Sequence, residues 1–285
     1  MKFKQILKNA TDLIIENGLE ESAGIILLCH VCQCSNSGLF AILDDEISEE
    51  QTNKFNELLE QYLYHNKPVQ YLTNSACFYG YDFYVDENVL IPRYETEELV
   101  ENILYRYDKY FKGQKIDVCD VACGSGCIGI ALALEEPNMK LVSTDISFEA
   151  LEVAKRNASN LGANIEFLQG DMLKPLNGKK FDIFVSNPPY IPNDEFVMPL
   201  VLENEPNIAL FGGSDGMKFY RIIFNGLKEV IKDRAMICFE HGYDKKEAML
   251  ALAKAYFPNS RAEVLKDLQG KDRMTFVYVG DGFDE

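Results

Sequence analysis

Apolar side chains at Phe3, Ile6, Leu7, Ala10, Leu13 and Ile14 share one face of a helix over residues 3–17. Ser22 is placed to cap a second helix carrying Ile25, Ile26, Leu27 and Leu28. Ser48, followed by Glu49, Glu50 and Gln51, opens a third helix through Phe55, Leu58, Leu59 and Tyr62. Alternation of β-branched residues is scarce here, so residues 1–68 read as a small helical bundle that ends at Pro68. Residues 69–94 change character. Tyr71, Phe78, Tyr79, Tyr81, Phe83, Tyr84 and Val85, interrupted by Gly80 and Asp82, suggest a linker with a short hairpin. Over 95–285 strands and helices alternate. The pattern predicts a helix at 95–110, a strand at 116–121 and a glycine loop with a helix over 124–135. A strand ending at Asp145, a helix at 147–161 and strands at 164–168 and 181–186 follow. A helix at 216–232 and strands at 235–239 and 274–279 complete the series. This is the signature of an α/β domain with a mostly parallel sheet covered on both faces.

The composition narrows the class. With 285 residues, 47% hydrophobic and 26% charged, the chain suits one large or two ordinary globular domains. No run of eighteen apolar residues occurs, and the charged N-terminus lacks a signal-peptide core, so a cytoplasmic protein is expected. Eight cysteines then read as reduced thiols. Cys29, Cys32 and Cys34 beside His30 lack the second pair that a structural zinc site needs, and Cys119, Cys123 and Cys127 read as packing residues. No metal is expected. The net charge of −17 opposes nonspecific binding to nucleic acid and suits a basic protein partner.

The strand at 116–121 runs into Asp120-Val121-Ala122-Cys123-Gly124-Ser125-Gly126, and a helix starts at once. Such glycines let the backbone turn sharply and approach a ligand. Gly124 to Gly129 also matches G-x-G-x-x-G, with Asp145 where a ribose-binding acid belongs, so the motif alone does not separate a nicotinamide cofactor from S-adenosylmethionine. Two carboxylates favour the latter. Asp120 suits a cationic methionyl amine better than a pyrophosphate. Asp171 is placed to accept from the adenine amine, with Met172 beside the ring. Asp145 could instead cap the helix at 148, but Ser147 can do that. The expected cofactor residues are Asp120, Ala122, Cys123, Gly124, Ser125, Gly126, Asp145, Ile146, Asp171, Met172 and Asn187.

The tetrapeptide Asn187-Pro188-Pro189-Tyr190 follows the strand at 181–186. Two prolines make a rigid segment that displays carbonyl acceptors and no donors. That surface suits a ligand offering only N–H groups. The Asn187 side-chain oxygen can accept one N–H of an –NH2 group and the Pro188 carbonyl the other, aiming the nitrogen lone pair at a sulfonium methyl. Such positioning contributes on the order of 7–11 kcal/mol. Tyr190 can stack on a planar amide and stabilise the charge that moves towards nitrogen. A strong base is unnecessary, and no His lies near this loop in sequence. Asn187, Pro188, Pro189 and Tyr190 are thus the candidate catalytic and substrate-binding residues; Arg93, within a motif taken up below, is a further substrate-binding candidate, with a surface ion pair as its alternative.

Taken together, these residues resemble the HemK/PrmC family of protein-glutamine methyltransferases. The likeness runs from about Pro68 onward. It includes Pro68-Val69-Gln70-Tyr71-Leu72, Phe78-Tyr79-Gly80 and Leu90-Ile91-Pro92-Arg93-Tyr94-Glu95-Thr96-Glu97, close to the family's I-P-R-P-E-T-E. It continues with residues 120–126, Asp145, Asn187 to Ile191, Glu205-Pro206, Ala209-Leu210, Glu240-His241-Gly242, Lys266-Asp267-Leu268, Gly270 and Arg273. Tyr94 stands where the family has proline, and Asn74 where glycine is common. The resemblance implies a Rossmann-like methyltransferase domain with a mostly parallel seven-stranded sheet, behind an N-terminal helical bundle that recognises the partner. It implies S-adenosyl-L-methionine as donor, S-adenosyl-L-homocysteine as product, and no metal. The implied substrate is the glutamine of the Gly-Gly-Gln loop in class 1 peptide chain release factors; a monomer is expected. The competing reading is methylation of an exocyclic base amine in DNA or RNA, since N-P-P-Y is shared with such enzymes. A nicotinamide oxidoreductase has only the glycine motif in its favour.

Overall fold

The computed structural model describes residues 1–283. It divides into two compact units, Met1–Ser75 with Val197–Asn204, and Ala76–Phe196 with Glu205–Glu285. In the first unit, α1 (Phe3–Glu16) buries Phe3, Ile6, Ala10 and Ile14, three or four residues apart on one stripe. Those side chains meet Leu27 and Leu28 of α2 (Ala23–Cys32), Leu39 of α3 (Asn36–Ala41) and Phe55, Leu58 and Tyr62 of α4 (Glu49–Tyr64) in one core. Each fully buried Leu or Phe there contributes about 1.5–3 kcal/mol. Ser48 and Gln51 form a complete capping box at the start of α4. Ser22 does not cap α2: its own backbone is helical and its hydroxyl donates to Glu20 instead. Residues 69–73, read above as part of a hairpin linker, form a short helix, α5 (Val69–Thr73). Asn74 ends it in the left-handed conformation (φ 51°), which glycine and asparagine tolerate best.

The second unit begins with a two-stranded hairpin, β1 (Ala76–Phe78) and β2 (Tyr81–Phe83), turned by Tyr79 and Gly80. The sheet then builds by crossovers. In chain order come α6 (Tyr94–Tyr110), β3 (Ile116–Val121), α7 (Cys127–Glu135), β4 (Met139–Asp145), α8 (Phe148–Leu161), β5 (Ile165–Gln169) and β6 (Phe181–Ser186). The single-turn helix α9 (Pro199–Leu202) belongs to the first unit; in the second, the single-turn helix α10 (Asn207–Leu210) precedes α11 (Lys218–Val230), β7 (Ile231–Glu240), α12 (Lys246–Tyr256), β8 (Arg261–Lys266) and β9 (Asp272–Val279). The sheet has seven strands in the order β5-β4-β3-β6-β7-β9-β8, and only the pairings of β9 are antiparallel. The order reverses between β3 and β6, where such sheets bind ligands.

Strand pleat sorts the core into two layers. Val118, Ile183, Val185, Met236 and Cys238 face α6 and α7, while Cys119, Val121, Phe184, Ile237 and Phe239 face α11 and α12. By the same alternation Asp120 and Glu240 lie on the α6 and α7 side. The helix expected over 216–232 stops at Val230, because Ile231 already pairs with Phe181 as the first residue of β7. Strand β8 is absent from the sequence reading; Arg261 to Leu265 are all half-buried, so its burial does not alternate between the two faces. Among the described residues, no helix is long and apolar enough to cross a membrane, and no cluster of three or more His, Cys, Asp or Glu is placed to hold a metal.

Candidate active site

The loop between β3 and α7 is a chain of tight turns. Ala122, Gly124 and Gly126 all have positive φ, and Gly126 ends the loop as the residue before α7. A Cβ on Gly124 would meet nothing within 4 Å, because this residue faces open space on a cavity wall. A Cβ on Gly126 would press on Ile130 and Ala154 at 3.0 and 3.1 Å. The third glycine, Gly129, lets α7 lie directly on the sheet, where a Cβ would stand 2.7 Å from Ser143 Oγ.

Asp145, at the end of β4, ties this loop in place. Its Oδ2 accepts from Gly124 N–H at 2.9 Å and its Oδ1 from Ser147 N–H at 3.0 Å. Ser147, not Asp145, caps α8 by accepting from Ala150 N–H. Burial raises the Asp145 pKa, and the backbone donors at Ser147, Gly124 and Ile146 partly offset that. Each carboxylate oxygen keeps a lone pair for a hydroxyl donor.

A cavity of about 410 Å³ opens over these strand ends. Arg93, Ala122, Cys123, Gly124, Ser125, Asp145, Ile146, Asp171, Met172, Asn187 and Pro189 line it. Thr96, Pro206, Ile208, Ala209, Lys218, Phe219 and Ile222 close its other walls. Its size and largely apolar lining are those of a small-molecule site. Asp171 is part-exposed and ion-paired to Lys174 at 2.7 Å, so its carboxylate is already shared. Arg93 pairs with the buried carboxylate of Glu205 at 2.6 Å, and Glu205 also accepts from Ile91 N–H. The arginine is thus both an ion-pair partner and a wall residue.

Four sequence candidates stand off the cavity wall. Gly126 faces α8, and Pro188 is buried. Asp120 has no exposed surface. Its Oδ2 accepts from Gly129 N–H inside α7, and its Oδ1 has no partner. Asp120 therefore supports α7, because the pleat turns this carboxylate under the helix and off the cavity wall. Burial pushes its carboxyl up to about 7, against a partial pull from the Gly129 donor. Tyr190 is half-buried, with its ring beside Gly242 and its hydroxyl 3.5 Å from Glu240 Oε1. Its stacking face is not part of this cavity.

The structure gives partners to residues that the sequence offers only as members of longer motifs, and adds others. Asn187 Nδ2 donates to Thr96 Oγ1 at 3.2 Å, and Thr96 Oγ1 donates to Glu240 Oε2 at 2.7 Å. Burial pushes the Glu240 carboxyl up to about 7, opposed by the Thr96 hydrogen bond and the Arg273 charge. Behind the Asn187–Tyr190 loop lies the segment Phe211–Gly216. Ile191 N–H donates to Leu210 O, and Gly212 N–H to Ile191 O. A Cβ on Gly212 would come within 2.5 Å of Pro189 O and 2.8 Å of Tyr190 Cα. The only sequence signal for this support was the glycine run itself, Gly212, Gly213 and Gly216.

A doubly wound sheet with a glycine loop after its first strand, an acid after the second and Asn-Pro-Pro-Tyr after the fourth defines a Rossmann-like methyltransferase. The family model for the methyltransferase small domain matches residues 97–203, and that for the PrmC N-terminal domain matches residues 5–73. The release factor glutamine methyltransferase of Bacillus cereus is 43% identical over 281 residues, covering 97% of this chain and 99% of that protein. The enzyme of the same name from Streptococcus pneumoniae is 37% identical and covers 100% of both. A methyltransferase of Pyrococcus furiosus shares the fold at a TM-score of 0.52 and 17% identity, over 71% of this chain and 91% of that one. The chain belongs to the release factor glutamine methyltransferase family.

Proposed function

We propose that this enzyme transfers a methyl group from S-adenosylmethionine to the side-chain amide nitrogen of the glutamine in the Gly-Gly-Gln motif of class 1 peptide chain release factors, in the cytoplasm. The observation that carries this reading is that Asn187 and Gly124 line the same cavity, an amide acceptor and an open backbone cradle. The residues present fit the donor. Asp145 keeps acceptor capacity for ribose hydroxyls, Asp171 for an adenine amine, and Ile146 and Met172 offer apolar surface to a ring. When bound, S-adenosylmethionine supplies a methyl carbon activated by a sulfonium.

The chain's own residues do the orienting. Asn187 Oδ1 and the Pro188 carbonyl accept the two N–H bonds of the glutamine amide, which fixes the nitrogen and favours its pyramidal form over the planar ground state. Pro188 and Pro189 bring no competing N–H to this surface. Tyr190, outside the cavity, is assigned the aromatic contact to the incoming amide. Loss of the proton needs no strong base, because an N-methylated amide cation is very acidic.

The test is transfer of labelled methyl from S-adenosylmethionine to a purified release factor, with a copy whose Gly-Gly-Gln glutamine is alanine, and with duplex DNA. Label on the unaltered factor alone is expected. Label on DNA alone would replace the reading with base methylation.

A further inference from the structure

We infer that Thr96 is a positioning residue that sets which end of the Asn187 carboxamide faces the substrate, with Glu240 as the acceptor that polarises it. This inference rests on the reading of Asn187 as the amide acceptor and deepens it.

An asparagine side chain has two ends of nearly equal size. One accepts hydrogen bonds and the other donates them, and neither sterics nor the backbone tells them apart. An amide substrate needs the oxygen. If the –NH2 end faced it, two N–H groups would oppose each other. Something in the protein must therefore make the two orientations unequal in energy. Neighbouring Pro188 and Pro189 have no N–H to bind Asn187 Oδ1, so the local chain does not do it.

The hydroxyl of Thr96, on the first turn of α6, does. Thr96 is 3% exposed and its Oγ1 lies 3.2 Å from Asn187 Nδ2. A hydroxyl owns one proton and two lone pairs. With Glu240 ionised, that proton is committed to Glu240 Oε2, 2.7 Å away at the end of β7. Only lone pairs remain for Asn187, and lone pairs bind –NH2, not C=O. The Asn187 oxygen is left for the cavity.

Glu240 is held in turn. It is 1% exposed, and its backbone carbonyl accepts from the Tyr220 hydroxyl at 2.6 Å. Its Oε1 faces the Tyr190 hydroxyl at 3.5 Å, so the relay connects both ends of the Asn187–Tyr190 loop. With Glu240 ionised, the hydroxyl therefore polarises from Asn187 through Thr96 to the carboxylate.

The test uses three variants of the whole enzyme in the labelled-methyl assay. Thr96→Val keeps the shape and loses the hydroxyl. Thr96→Ser keeps the hydroxyl and loses a methyl group. Thr96→Ala is the second hydroxyl-free variant, should valine not fold. The expected result is a fall in kcat of about 10- to 100-fold for valine and alanine, the range for a misaligned reacting group. Serine should stay within about threefold of wild type, with the dissociation constant for S-adenosylmethionine unchanged in all three. Valine with wild-type kcat would overturn the proposal. So would serine as impaired as valine, since that pattern marks a packing role. Absence of methyl transfer by the wild-type enzyme to any release factor would instead strike the functional reading beneath it.

Discussion

Gly129 lies against Ser143 so closely that a Cβ on the glycine would stand 2.7 Å from the serine Oγ and 3.2 Å from Asp120 Oδ2. In an exposed helix, replacing glycine by alanine gains about 1 kcal/mol through helix propensity. Here the sign reverses, because α7 must lift off the sheet to admit the methyl group. Gly129→Ala is expected to lose about 1–3 kcal/mol in urea unfolding, the usual cost of overpacking. Its S-adenosylmethionine affinity should fall too, since the glycine loop ends on α7. A gain in stability would show that the helix has room to move.

Asp145 serves the loop before it serves any ligand. Asp145→Ala strands Gly124 N–H and Ser147 N–H and removes the acceptor assigned to the ribose. Calorimetric titration with S-adenosylmethionine should show a dissociation constant raised about 10- to 100-fold, equivalent to about 1.4–2.8 kcal/mol. Unchanged affinity would remove Asp145 from the cofactor site.

Buried carboxyls give the fold a pH dependence of definite sign. Burial pushes Asp120 and Glu240 up to about 7, from ordinary values of 3.8 and 4.5. The folded chain then holds these protons where the unfolded chain has lost them. Their contribution to stability therefore falls as pH rises from about 4 to about 7, and the penalty is complete above that window. Asp120→Asn keeps an oxygen for Gly129 N–H and removes the charge. It should be more stable than wild type at about pH 8, by an amount on the order of a few kcal/mol, with the advantage gone near pH 4. Urea unfolding at both pH values reads this directly, and a pH-independent difference would exclude the carboxyl as the cause.

Sequence reasoning reached the parts of the site that local geometry dictates. The loop from Ala122 to Gly126 announces itself because a strand that turns straight into a helix needs positive φ. Asn187-Pro188-Pro189 announces itself because two prolines strip a segment of donors. The surroundings of Asp120 are not legible in the sequence, because a carboxylate at a strand end faces a ligand or a helix according to the pleat and to how closely the helix packs. That distance is set by Gly129, nine residues on. Thr96 and Glu240 were invisible as a pair with Asn187, since 91 residues separate Thr96 from Asn187 and 144 separate it from Glu240. Only the crossovers of the sheet bring them together.

Gly212 is the prediction that separates loop support from ligand contact. Its missing side chain lets the Phe211–Gly216 segment lie against Pro189 and Tyr190. Gly212→Ala should push the Asn187–Tyr190 loop outward and lower kcat by about 10-fold or more. S-adenosylmethionine affinity should hold, because the glycine loop and Asp145 lie on other strand ends. Parallel measurement of turnover and cofactor binding tests the split, and a loss of both in proportion would mean that the whole site had collapsed.

Asn187→Ala makes the sharper cut. The residue lines the cavity, yet the donor-binding groups assigned above are carried by the loop after β3, the end of β4 and the segment after β5. Removing its carboxamide should leave S-adenosylmethionine binding within a few-fold of wild type. Turnover should fall by at least about 100-fold, because the hydrogen bonds lost are those that strengthen as the amide nitrogen becomes pyramidal. Single-turnover methyl transfer at saturating cofactor isolates the chemical step from binding and product release. A wild-type rate in that experiment would end the role given to Asn187, and with it the account of how this loop activates an amide.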